Sequence, residues 1–222
     1  MPSSRPALPS HLVSTGVVAI ARAASTAHVE AAVETLVGAG ITCIELTLTM
    51  PGALETIAAL VKAFDSAASI GAGTVLTADQ ARACIDVGAA FLVAPSTVPE
   101  VVRAAAADDV PCLPGALTPS EIVAAWESGA AAVKLFPASL GGVTYVRDVR
   151  APLPDIPLVP TGGVSIDQVA PYLAAGAVAV GLGGPLFGDA LVGGELKALA
   201  DRARHLIGAV AEGRRARPAG AR

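Results

Sequence analysis

Two residues of the 222-residue sequence carry more chemical promise than the rest, Lys134 and Glu45. Lys134 is one of three lysines, and the other two, Lys62 and Lys197, fall on the polar faces of expected helices. It stands in Ala131-Ala132-Val133-Lys134-Leu135-Phe136-Pro137, where strand alternation turns Val133 and Leu135 one way and Lys134 the other. Burial disfavours an ammonium, and a neutral amine is a nucleophile toward a carbonyl. Glu45 alternates in the same way within Thr42-Cys43-Ile44-Glu45-Leu46. A buried carboxyl is costly unless it is paired or used. Beside an amine it would move the protons of Schiff-base chemistry, which needs an acid for carbinolamine dehydration and a base on the hydroxyl next to the bond that breaks. Each residue also has a plain structural reading. The lysine head would reach past the strand end into water, or Glu45 would form a buried ion pair with Lys134 or Arg22.

Such residues act together only if the chain holds them on one rim. Apolar β-branched runs alternate with Ala-rich amphipathic stretches from end to end, the pattern of a parallel sheet covered by helices. Strands are expected near 16–21, 42–46, 69–71, 90–93, 111–113, 131–135, 157–159 and 178–181. Helices are expected near 27–38, 53–64, 78–87, 98–106, 119–128, 140–149, 166–174 and 195–211. Ser25, Thr77, Thr118 and Ser165 are placed as N-caps, and Thr118-Pro119-Ser120-Glu121 reads as a capping box. Gly38-Ala39-Gly40, Gly88, Gly129 and Gly176 each close a helix before the next strand. Eight βα units of roughly 28 residues fit an α/β fold of the (β/α)8 TIM barrel type, a single domain. The barrel is expected over 16–212, after an N-terminal segment, 1–15, with a short helix near 8–14, and before a disordered tail, 213–222. An open doubly wound sheet would need a Gly-rich loop after the first strand, and Ala21-Arg22-Ala23-Ala24-Ser25 is not one.

In such a barrel the chemistry gathers at the carboxyl ends of the strands, so polar residues that end apolar runs are the candidates. They are Arg22, Glu45 with Thr47 and Thr49, Thr74, Pro95-Ser96, Gly115, Lys134, Thr161-Gly162-Gly163 and Gly181-Leu182-Gly183-Gly184. The pairs Gly162-Gly163 and Gly183-Gly184 follow the last two strands, where bare backbone N–H groups commonly hold phosphate. Tight turn geometry also accounts for such glycines. Gly71-Ala72-Gly73-Thr74 looks like half a nucleotide-binding loop but lacks the later glycine, so Thr74 reads as a hydroxyl facing the rim. His11, His28 and His205 fall away from strand ends, so neither a zinc set nor a His-based triad assembles there.

Composition narrows the field further. With 53% hydrophobic and 15% charged residues the chain is globular, and a net charge of -4 without a basic stripe outside the last residues offers nucleic acid no footprint. Cys43, Cys84 and Cys112 are too far apart for a metal or redox pair and read as small buried residues in a reducing compartment. The mean hydropathy of +0.63 is high, and two stretches imitate export or membrane segments. Polar and turn-forming residues from Pro9 to Gly16 interrupt 6–21, and Pro171, Gly176, Gly181, Gly183, Gly184, Pro185 and Gly188 punctuate 168–188. A cytoplasmic protein with no membrane partner is expected.

Five motifs in order, Ile44-Glu45-Leu46-Thr47-Leu48, Gly71-Ala72-Gly73-Thr74-Val75-Leu76, Pro114-Gly115, Val133-Lys134-Leu135-Phe136-Pro137-Ala138 and Pro160-Thr161-Gly162-Gly163-Val164, closely resemble the class I aldolases of 2-keto-3-deoxy-6-phosphogluconate and 4-hydroxy-2-oxoglutarate. The resemblance spans about residues 17–211. It implies a cytosolic homotrimeric barrel with no metal and no cofactor, acting on a small-molecule 2-keto acid. In it Lys134 forms the Schiff base with pyruvate, Glu45 moves the protons, Thr74 lies against the pyruvyl group, and the Gly162-Gly163 and Gly183-Gly184 loops surround the phosphate. The implied reaction cleaves a 2-keto-4-hydroxy acid to pyruvate and an aldehyde. The candidate substrates are 2-keto-3-deoxy-6-phosphogluconate or its galactonate epimer, giving glyceraldehyde 3-phosphate, and 4-hydroxy-2-oxoglutarate, giving glyoxylate.

Two positions depart from the pattern. Where phosphogluconate-type enzymes usually carry a carboxylate-binding Arg, four residues after the Glu, this chain has Thr49, so Arg22 or backbone amides take over. The phosphogalactonate branch also lacks that Arg, and Pro51 resembles it. Gly184-Pro185 replaces the usual small hydroxyl residue, which implies that phosphate is held less tightly or is not the preferred substituent. Two rivals stay open. A sugar-phosphate isomerase or epimerase would show a second well-placed carboxylate or histidine, and a non-catalytic barrel binding a phosphorylated metabolite would need no reactive amine.

Overall fold

The computed structural model describes residues 5–217. Helix α1 (Ser10–Thr15) leads into β1 (Val17–Ala21), and the chain then alternates through α2 (Val29–Gly38), β2 (Cys43–Thr47), α3 (Ala53–Phe64), β3 (Ser69–Gly73), α4 (Ala78–Asp86), β4 (Leu92–Val93) and α5 (Pro99–Ala107). There follow β5 (Cys112–Leu113), β6 (Gly115–Ala116), α6 (Pro119–Glu127), β7 (Val133–Leu135), α7 (Gly142–Arg150), β8 (Leu158–Pro160), α8 (Ile166–Ala174), β9 (Val180–Leu182), α9 (Gly184–Phe187) and α10 (Leu196–Ala216). Every strand pair is parallel.

The ladders form a six-stranded sheet, β5-β4-β3-β2-β1-β9, and a three-stranded sheet, β6-β7-β8, in place of the expected ring of eight strands. The break has a chemical cause. The strand expected at 111–113 becomes β5 and β6 on either side of Pro114, which has no N–H to give a ladder. Its carbonyl still accepts from Lys134 N–H at 2.9 Å. A lone bridge between Thr161 and Gly181 links the end of β8 to β9.

Alternation along the strands produces two cores. Val17, Ala19, Ile44, Leu46, Val133 and Leu135 face the helices in the larger one. Val18, Ile20, Cys43, Phe91, Val93, Leu113, Ala132, Val159 and Ala179 meet on the inward face, with Leu12 of α1 closing its amino-terminal end. Beside Leu12, His11 Nδ1 lies 3.0 Å from the hydroxyl of Ser69. The three cysteines are free and buried, and burial pushes their thiols up, that of Cys84 to about 11.

Most helix signals act where the sequence puts them. The Thr77 hydroxyl accepts from Gln80 N–H at 3.1 Å, and Thr118 with Glu121 forms a reciprocal capping box. Gly40, Gly88, Gly129 and Gly176 adopt positive φ, and the residue after each returns its N–H to a carbonyl five positions back, as Ile41 does to Leu36 at 2.9 Å. Ser25 is a correction. Its hydroxyl accepts from Ala27 N–H at 3.2 Å and closes a local turn, so α2 starts later with His28 at its N-cap.

The expected tail is a second correction. Helix α10 continues through Gly213 because Leu199, Ala203, Leu206, Val210 and Gly213 form one buried stripe. A Cβ at Gly213 would stand 2.6 Å from the Ala170 carbonyl of α8, so glycine here permits close helix contact and does not end the helix. The rest of that tail, 218–222, and residues 1–4 lie outside the described residues. From α10, Arg214 donates to the carbonyls of Val13 and Ser14, 2.6 Å each, and clasps α1 in place. No helix among the described residues is long and apolar enough to cross a membrane, and 168–188 is divided among α8, β9 and α9.

Candidate active site

At the carboxyl ends of the strands the inward face turns from apolar to polar. Glu45 and Lys134 stand there, with only 1% and 5% of their surfaces exposed, together with buried Thr47 and Thr161. Register fixes their levels: Glu45 pairs with Ile20 of β1 and Gly71 of β3, and Lys134 with Gly115 of β6 and Val159 of β8.

The electrostatics of Glu45 set it apart. Its Oε1 is buried without a hydrogen-bond partner. Burial raises its pKa above the ordinary carboxyl value, and the nearby charges of Lys134 and Arg22 pull the other way without winning. Salt bridges join Arg82 to Asp79, Arg103 to Glu100, and Asp201 to Lys197 and Arg204 on helix surfaces, and among the described residues Glu45 and Lys134 form none with each other. A structural ion pair therefore does not account for the burial of Glu45 or Lys134. The Nζ of Lys134 instead lies 5.1 Å from the centroid of the Phe136 ring. An orphaned carboxyl oxygen next to a buried amine costs stability, and such costs concentrate at functional sites.

The other candidates gather in two groups. On the six-stranded sheet Arg22 is exposed and its Nη2 reaches the Thr74 hydroxyl at 3.5 Å. Thr74 has φ 62, a conformation that a β-branched residue rarely adopts, so the turn after β3 holds it under backbone strain. Thr49 is exposed and shares a hydrogen bond of 2.9 Å with the buried Thr47 hydroxyl. Half-buried Gly162 and exposed Gly163 follow β8 of the three-stranded sheet, and half-buried Gly183 and exposed Gly184 follow β9, which pairs with β1 at the edge of the six-stranded sheet. Two side chains with no expected role pack here: a Cβ at Gly162 would meet the Phe136 ring at 2.8 Å, and one at Gly163 would meet Ser139 at 2.6 Å. The alternation that singles out Lys134 also brings Phe136 to the same side, a signal present in the sequence. Nothing in the sequence marks Ser139, which arrives because its N–H donates to the Gly162 carbonyl at 3.0 Å. Among the described residues no group of three His, Cys, Asp or Glu side chains is arranged to hold a metal ion.

Parallel strands alternating with helices carry a buried amine and a buried carboxyl on their inward face, the two groups that imine chemistry on a carbonyl compound would use. Comparison with known proteins makes this specific. The chain belongs to the KDPG and KHG aldolase family, whose model matches residues 9–198. It is similar to a probable 2-dehydro-3-deoxy-6-phosphogalactonate aldolase of Rhizobium meliloti (strain 1021), 37% identical over 181 residues, 81% of this chain and 85% of the relative. Among solved structures, a native KDPGal structure matches with a TM-score of 0.83 at 33% identity, covering 89% of this chain and 95% of that one. A KDPG aldolase of Legionella pneumophila, with pyruvate captured as a covalent carbinolamine, matches with a TM-score of 0.81 at 25% identity over 88% of this chain and 95% of that one.

Proposed function

We propose that this chain is a Schiff-base aldolase in which Lys134 is the nucleophile and Glu45 the proton-transfer group. The observation that carries the reading is the buried Glu45 carboxyl, its Oε1 without a hydrogen-bond partner, within the electrostatic reach of the buried Lys134 amine. The Lys134 amine attacks the C2 carbonyl of a 2-keto-4-hydroxy acid, and protonated Glu45 assists loss of water to the iminium. Glu45, now a carboxylate, takes the proton from the C4 hydroxyl. The C3–C4 bond breaks, its electron pair passes into the iminium, and the aldehyde leaves an enamine behind. Protonation at C3 and hydrolysis release pyruvate and restore the amine. Burial, which raises the carboxyl pKa, favours the protonated form that gives the first proton.

Within this reading Thr74, strained into place, meets the pyruvyl group, and Arg22 beside it takes the carboxylate with help from the Thr47 and Thr49 hydroxyls. The Gly162-Gly163 and Gly183-Gly184 turns receive the far end of the substrate. The names of the relatives favour 2-keto-3-deoxy-6-phosphogalactonate, giving glyceraldehyde 3-phosphate, over the gluconate epimer and 4-hydroxy-2-oxoglutarate. We further propose that the two sheets close into one (β/α)8 barrel, supported by the Thr161–Gly181 bridge and by the single residue between β5 and β6. The protein works in the cytoplasm as a homotrimer without metal or cofactor.

Incubation with pyruvate and borohydride, followed by peptide mass spectrometry, tests the assignment. A reduced adduct on Lys134 is expected. A folded sample that yields none overturns the reading in favour of an isomerase or a binding barrel.

A further inference from the structure

We infer that Gly73 is a positioning residue that fixes the Glu45 carboxyl by leaving empty the space it occupies. A Cβ at position 73 would stand 1.9 Å from Glu45 Oε1, 2.5 Å from its Cδ and 2.6 Å from its Cγ. Gly73 is not among the glycines with positive φ, so the backbone conformation does not call for glycine. The demand comes from the neighbouring side chain. Strand β3 repeats the device one inward position earlier, where the Phe91 ring fills the space left by Gly71, the register partner of Glu45. Thus β3 cedes its inward volume to its two neighbours, an aromatic ring from the chain entering β4 and the carboxyl from β2.

The strand cannot yield in place of the carboxyl. Gly73 is in register with Thr47, its carbonyl accepts from Leu48 N–H at 2.8 Å, and the chain on either side is tied to the β4 segment by Ala72 N–H to Phe91 at 3.0 Å and Val75 N–H to Val93 at 3.1 Å. Glu45 contributes the flexible end of a side chain. A methyl group at 73 therefore swings the carboxyl away and leaves the sheet intact. The inference rests on the reading of Glu45 as the proton-transfer group.

The test is a cycle of Gly73→Ala, Glu45→Gln and the double variant, read by Tm, kcat, KM and the pH–rate profile. Gly73→Ala is expected to keep a Tm near that of the parent and to lose roughly 10- to 100-fold in kcat with little change in KM, the scale of an ångström misplacement. Its pH–rate limb shifts, and the double variant is no slower than Glu45→Gln alone, because one group carries both effects. Multiplying losses in the double variant, or parental kcat and pH profile in Gly73→Ala while Glu45→Gln is slow, overturn the positioning role alone. Parental turnover in Glu45→Gln overturns the reading of Glu45 and this inference with it. If Gly73→Ala does not fold, the pair Gly73→Ala with Glu45→Ala is expected to fold with the Tm of Glu45→Ala, and its failure to fold overturns the inference.

Discussion

The two ends of the inward face are built from the same strands and to opposite ends. At the amino end Leu12, Val18, Cys43, Ala132 and Ala179 pack without exposed surface to speak of, and the polar pair there, His11 and Ser69, is mutually satisfied. At the carboxyl end a carboxyl oxygen has no partner, an amine is buried without an ion pair, and a threonine is held at positive φ. One end contributes stability and the other spends it, which is how a rigid scaffold keeps reactive groups under-solvated.

That contrast can be broken from either end, and the largest effect belongs to the amine. Lys134→Ala is expected to abolish turnover and adduct formation while Tm stays near the parent's, measured by a coupled pyruvate assay and thermal melts. Glu45→Gln follows, with kcat lower by roughly 100- to 10,000-fold, the span typical of a lost acid–base group. At the other end, Leu12→Ala is expected to cost about 2–5 kcal/mol in denaturant unfolding and to leave kcat per folded molecule unchanged, as a buried leucine far from the chemistry should. A fall in kcat without loss of stability would erase the division between the ends.

Smaller effects sharpen the picture. Because burial raises the Glu45 pKa above its unfolded value, the folded state binds the proton more tightly than the unfolded chain does. Stability from this group is complete below the ordinary carboxyl pKa and is lost as pH rises through the raised one. Glu45→Gln should therefore melt above the parent at alkaline pH and lose that advantage once the pH falls below the ordinary carboxyl range, about pH 4. Equal melting curves at both pH values would show that the carboxyl is not penalised by the fold. Thr118→Ala, distant from both ends, removes a cap and should cost about 1 kcal/mol with no kinetic change.

The parts of this design that the sequence shows are those governed by period and local chemistry. Apolar runs, capping hydroxyls and Gly C-caps outline the βα units, and alternation turns Lys134 and Glu45 inward. What it conceals depends on contacts between distant segments. Pro114 reads as the end of a strand, whereas it splits one into ladders belonging to two sheets. Gly213 and the arginines near it look like a free tail until α8 supplies the surface that needs a bare backbone. Gly73 looks like part of a turn, and only the Glu45 side chain two residues along the neighbouring register shows what the missing Cβ is for. The strain at Thr74 is hidden for a similar reason, since no property of threonine announces a positive φ.

The clasp of Arg214 on α1 has a consequence for the order in which the molecule is made. Its carbonyl partners, Val13 and Ser14, precede it by 201 and 200 residues. During synthesis the early strands emerge with α1 held by Leu12 and by the His11–Ser69 hydrogen bond, and the clasp is added only after Arg214 has left the ribosome. Nascent chains halted before that point should therefore be cut at Ser10–Thr15 more readily than the released protein, as limited proteolysis of the two would show.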